Sequence, residues 1–135
     1  MKKIFISFLV LVSVVLISSC SKSPAENMVG EWKITDIKTT SEIPDDQLDA
    51  YKDALEGMKE SSKMIYNSDG TYEKTISEMT TKGAWEISED GKTLTETSAE
   101  GIIESVQVTE LSDSKLVTIS VLDDTKNTMT FEKVK

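Results

Sequence analysis

Arginine and histidine are both missing from this 135-residue chain, and cysteine occurs once, as Cys20. The lack of histidine removes the side chain that most often moves protons or binds metals near neutral pH. A zinc site would be without its usual ligands, so no metal is expected. No nucleophile motif is present either. Without arginine there is no planar fork to clamp phosphates or carboxylates in pairs. A lone cysteine excludes an intrachain disulfide. All 15 basic residues are lysines, set against 24 acidic ones, for a net charge of −9. Such a chain repels nucleic acid and anionic surfaces, so no nucleic-acid partner is expected. Aromatic residues make up only 6% of the chain, which is thin for a capacious ligand pocket. The length allows one domain with a modest core.

What is present begins with Lys2-Lys3, followed by an apolar run from Ile4 to Ile17 broken only by Ser7 and Ser13. The run is short for a bilayer span, which needs about 20 apolar residues, and has the length of a signal-peptide core. The alternative for this segment is an uncleaved anchor helix. Ile17-Ser18-Ser19-Cys20 resembles the bacterial lipobox: an aliphatic residue, two small ones and a cysteine. The resemblance implies a signal peptide over 1–19, cleavage before Cys20, diacylglycerol on its thiol and an acylated (palmitate-type) new amine. Losing Lys2 and Lys3 would leave 13 lysines against the 24 acidic residues. The anchor on Cys20 would make the membrane a partner, with no other cofactor expected. Ser21, which is not aspartate, points by the enterobacterial sorting rule to the outer membrane of a Gram-negative cell envelope. Residues 20–28 read as the lipidated cysteine and a polar tether, with a reach of at most roughly 30 Å.

From residue 29 to 135 the texture is one of short β-rich runs between turn signals. Eight strands are expected: Gly30–Thr39, Lys63–Asn67, Thr71–Ser77, Lys82–Ser88, Lys92–Thr97, Ile102–Glu110, Lys115–Leu122 and Asn127–Val134. Asn67-Ser68-Asp69-Gly70 and Glu89-Asp90-Gly91 supply hairpin turns. They lack the oxygen ligands of a calcium loop. Short loops imply an antiparallel meander, and eight strands can close so that no edge stays unpaired. Between the first two strands, Pro44–Glu60 spaces Leu48, Tyr51, Leu55 and Met58 as a helix does, with an acidic opposite face read as solvated surface. At about 25 Å, it is long enough to lie across a small barrel's mouth as a lid.

Several short motifs then resemble the lipocalin-like lipoproteins of bacteria. Gly30-Glu31-Trp32 matches the G-x-W signature of the first lipocalin strand, and Gly83-Ala84-Trp85 repeats the spacing. Asn67-Ser68-Asp69-Gly70-Thr71-Tyr72, Asp90-Gly91-Lys92-Thr93-Leu94 and Thr130-Phe131-Glu132-Lys133 fit the same pattern. The resemblance implies an eight-stranded up-and-down antiparallel lipocalin-like β-barrel, mainly β, with one helix inserted between strands 1 and 2. Gly30, Trp32 and Gly83 would then be structural, with Trp32 packed near the closed end. Family members commonly set a last-strand arginine against that tryptophan; here the position falls to Lys133.

Two readings of the interior stay open, because an eight-stranded barrel can hold one small ligand or fill itself with side chains. If it holds a small apolar ligand, the candidate contacts are Trp85, Tyr72, Ile76, Val106, Val108, Val117, Ile119, Met129 and Phe131, with Leu55 and Met58 from the lid. If it is filled, it would act, as a monomer, through protein–protein contacts in envelope assembly or stress sensing, with the tryptophans as plugs. Lys74 and Glu104 interrupt apolar stripes; contact with a polar ligand group is one reading, and a solvent-facing position or a shifted register is favoured over it. No carboxylate pair is evident on an inward stripe, so the chain is not expected to be an enzyme.

Overall fold

The computed structural model describes residues 22–135. The expected signal peptide, Cys20 and Ser21 lie outside the described residues.

The chain from Lys22 opens with α1 (Pro24–Met28), then β1 (Gly30–Thr39), a 3-10 turn (Asp45–Gln47) and α2 (Leu48–Ser61). Seven strands follow: β2 (Lys63–Tyr66), β3 (Thr71–Ile76), β4 (Met79–Ile87), β5 (Thr93–Ser98), β6 (Ile103–Leu111), β7 (Lys115–Leu122) and β8 (Thr125–Lys133). Each strand pairs antiparallel with the next, and β8 returns to pair with β1 from Trp32↔Lys133 to Thr39↔Asn127, closing an up-and-down barrel. Closure leaves no open sheet edge.

The segment read as a polar tether contains α1. Ser23 caps it: the Ser23 hydroxyl accepts from the Glu26 amide at 3.3 Å, and the Glu26 carboxylate accepts from the Ser23 amide at 2.7 Å. Pro24 at the first helical position completes a start that needs few residues. The helix is held by its end, because Met28 is fully buried against the barrel.

Two register shifts set which side chains point inward. In β1 a bulge between Ile34 and Asp36 turns the inward parity from Trp32 and Ile34 to Ile37. In β6 a bulge between Val108 and Glu110 likewise turns it from Val108 to Leu111. A bulge inserts one residue, so the side-chain alternation resumes on the other phase.

One barrel end carries α1 and the loops β2–β3, β4–β5 and β6–β7. There the Trp32 indole donates to the Met28 carbonyl at 2.8 Å, and Trp32 is fully buried. Lys133 crosses above it, its Nζ 4.8 Å from the indole ring and donating to the carbonyls of Asn27 (2.7 Å) and Val29 (2.9 Å). Burial lowers the Lys133 pKa, with the Lys22 charge adding to the effect. Gly30 lies beneath the same lysine stem. The cation role expected of Lys133 is therefore met in detail, by two charge-assisted hydrogen bonds and a cation–π contact. This end is closed.

The other end carries the hairpins β3–β4, β5–β6 and β7–β8. Their tips expose apolar side chains: Met79 (76% exposed), Ile102 and Ile103, and Val121 and Leu122 (71%). Helix α2 packs on β1 and β3, and the Ser77 amide donates to the Ser61 hydroxyl at 3.2 Å. Ser62, just past the helix, accepts from the Ile34 amide at 2.8 Å, which ties the helix exit to β1. No α2 side chain is buried.

Candidate functional site

Inside the barrel a cavity of about 130 Å³ lies between β2, β3, β5, β6, β7 and β8. Its wall is mainly apolar: Met64, Ile76, Leu94, Val106, Leu116, Met129 and Phe131. Strand pairing explains the selection, because side chains directly opposite in a ladder share a face. Leu94 opposes Val106, Leu116 opposes Phe131 and Thr118 opposes Met129.

That pairing separates the expected ligand contacts. Ile76, Val106, Met129 and Phe131 meet at the cavity. Tyr72 and Val108 are buried in the surrounding core and do not line it. Trp85 packs edge-on against Tyr66 at 5.6 Å, with its indole donating to the Asn67 carbonyl at 3.0 Å. Val117 and Ile119 are corrected: the inward residues of β7 are Leu116 and Thr118. In β7 alternation favours the wrong phase, since Val117, Ile119 and Val121 are apolar whereas Leu116 alternates with Thr118 and Ser120; pairing with Phe131 and Met129 identifies the inward one. Leu55 and Met58 stay partly exposed on α2 and line none of the cavity.

The polar part of the wall divides a second expectation. Lys74 is half-buried and faces inward, which corrects the solvent-facing reading, whereas Glu104 is exposed and lines the cavity from its rim; Tyr66, Glu96 and Thr118 complete the polar wall. Glu96 is buried; its carboxylate accepts from the Tyr66 phenol and from the Lys74 ammonium. Glu104 stands directly across the β5–β6 ladder from Glu96, so a carboxylate pair does occupy adjacent inward stripes. Burial holds the Tyr66 phenol well above its ordinary pKa of 10.0, and the neighbouring Glu96 charge and hydrogen bond push it the same way. Tyr72 is also raised, by burial and then by Glu96 and Glu104. Lys74 sits 5.8 Å from the Tyr72 ring, and Tyr66 and Tyr72 stack tilted at 6.2 Å. Among the described residues no buried side-chain polar atom lacks a partner. The Tyr66–Glu96–Lys74 group is therefore satisfied as it stands, which is the condition for a buried polar network to be tolerated, while Glu104 is exposed and stands outside it.

Sequence reasoning misses Glu96, although the signal is present. It lies two residues after inward Leu94, as Lys74 does after Tyr72 and as Glu104 does before Val106. Three charges of mixed sign, each on an inward phase of its own strand, mark an internal cluster better than any one of them alone.

A family model described as a lipocalin-like domain matches residues 28–118. No curated protein matches the chain. Among solved structures, a DUF4847 family protein from Bacteroides vulgatus ATCC 8482 aligns with a TM-score of 0.57 at 12% identity, covering 80% of this chain and 94% of that one. Bovine odorant binding protein, solved in complex with its natural ligand, aligns with a TM-score of 0.43 at 18% identity, covering 81% and 72%. With the eight strands closed in sequence order, Trp32 sealed under Lys133 and the family match running across most of the barrel, this chain belongs to the lipocalin-like domain family.

Proposed function

We propose that the protein is a lipid-anchored envelope binding protein that holds a small, largely apolar molecule inside its barrel, with no enzymatic role. The observation that carries this reading is the internal cavity of about 130 Å³ with its mainly apolar wall. Apolar cavities of similar size, about 150 Å³, stay dry and accept benzene-sized guests. The experiment is to purify the full chain, denature it and identify any released small molecule by mass spectrometry. A stoichiometric apolar compound is expected from the wild type and none from Val106→Trp, which fills the cavity. An empty wild-type protein that also binds no benzene-sized probe would remove the container role.

The anchor belongs to the same proposal and rests on the lipobox-like Ile17-Ser18-Ser19-Cys20. Since α1 starts at Pro24, only about four residue steps, or roughly 14 Å, would separate Cys20 from the folded closed end. The closed end would then sit against the membrane, the outer one by the Ser21 rule, with the hairpin mouth turned away from it. Replacing Cys20 with serine should abolish incorporation of a labelled fatty acid; unchanged labelling would sink the assignment.

A second reading is favoured by one observation, the exposed apolar tips Met79, Ile102, Ile103, Val121 and Leu122 at the hairpin end. Apolar groups gathered on one rim fit contact with another protein in the envelope. Site-specific crosslinking from Leu122 should then recover a single partner, and recovery of none would exclude it.

A further inference from the structure

The cavity's charges do not balance. Lys74 is paired with Glu96, whose carboxylate also takes the Tyr66 phenol, so these three groups satisfy one another. Glu104 is the remaining carboxylate of the wall, directly opposite Glu96, and no ion pair forms to it among the described residues. Like charges directly opposite in a ladder repel. A cation placed between them offsets that repulsion, whereas an anion meets two carboxylates against one ammonium. Glu104 is exposed at the hairpin end of β6, and Leu94, Leu116 and Phe131 lie deeper toward the closed end. An entering molecule therefore meets apolar wall at its leading end and negative charge at its trailing end.

We infer that the cavity selects a small cationic amphiphile: a protonated primary amine on an apolar body about the size of one six-membered ring. The size follows from the cavity volume, just under that of apolar cavities that accept benzene. This inference rests on the container reading proposed above and names its ligand class. The amine nitrogen donates to the Glu104 carboxylate, a charge-assisted hydrogen bond about twice as strong as a neutral one.

The test uses the full chain in a non-ionic detergent and three isosteric probes by calorimetry: benzylamine, benzyl alcohol and benzoate, each corrected against detergent alone. Benzylamine is expected to bind about tenfold more tightly than benzyl alcohol, with benzoate undetected. In Glu104→Gln the benzylamine advantage should vanish, and an unchanged urea midpoint reports that the β6 substitution leaves the fold intact. Benzyl alcohol binding as well as benzylamine, benzoate binding best, or an amine preference that survives Glu104→Gln would each overturn the inference and leave the container role standing. Silence from all three probes would remove both.

Discussion

At Gly83 the barrel tolerates no side chain at all. A Cβ there would come within 2.0 Å of the Thr97 carbonyl oxygen and 2.8 Å of the Ser98 Cα, both backbone atoms that cannot swing aside. The second G-x-W of the sequence is thus a packing requirement where β4 presses on β5, and Gly83→Ala should cost about 3 kcal/mol in urea unfolding. A cost under about 1 kcal/mol would mean that β4 and β5 can part freely. Lys133 makes the complementary case for a side chain that cannot be shortened. Lys133→Ala loses two hydrogen bonds to carbonyls and the contact over Trp32, an expected loss of about 2–3 kcal/mol. Lys133→Met keeps the stem over Gly30 and isolates the ammonium's share; equal stability of the Lys133→Met variant and the wild type would show that the charge contributes nothing.

Elements differ in how plainly their residues announced them. β1 and β7 have the bounds expected from alternation and flanking turns, and α2 occupies the segment with helical spacing. β4 begins three residues earlier than expected, at Met79, because its hairpin turns on Ser77 and Glu78, both at positive φ. Turn recognition looks for Asn-Gly or Asp-Gly, and neither serine nor glutamate advertises a left-handed backbone. α1 was hidden by brevity, since five residues cannot show a helical period. The cavity's apolar wall was half legible through its alternation; its charged members were not, since an inward charge and a solvent-facing charge look alike until partners are known. α2 also shows what an element gains without burial. Nothing lies within 4 Å of a Cβ at Gly57, so Gly57→Ala should stabilise the helix by about 0.5–1 kcal/mol. Amide exchange in α2 should slow by about two- to fivefold while the strands are unaffected, because the helix opens by itself. Equal slowing in β1 to β8 would show instead that α2 unfolds only with the barrel.

A barrel closed by β1–β8 pairing packs all eight strands round one interior, so a charge change inside it is read in the unfolding of the whole domain. The buried Tyr66–Glu96–Lys74 group is the place to test this. Deprotonating Tyr66 would set a phenolate beside the Glu96 carboxylate, with both side chains buried. Its folded pKa is raised above the ordinary 10.0, by burial first, so the folded state holds the phenol proton more tightly than the unfolded chain does. By linkage that contribution is complete below the unfolded value and is lost as pH rises from about 10 toward the folded value. Tyr72, raised in the same direction, adds to the loss. Lys133, lowered by burial, acts in the opposite sense, since its charged form is the one the fold disfavours. The urea midpoint of the wild type should therefore fall steeply above about pH 10, and Tyr66→Phe, which carries no phenol to ionise, should fall less steeply over the same interval. Parallel curves for the two proteins would mean that Tyr66 ionises as freely folded as unfolded, and that water reaches the Glu96 site.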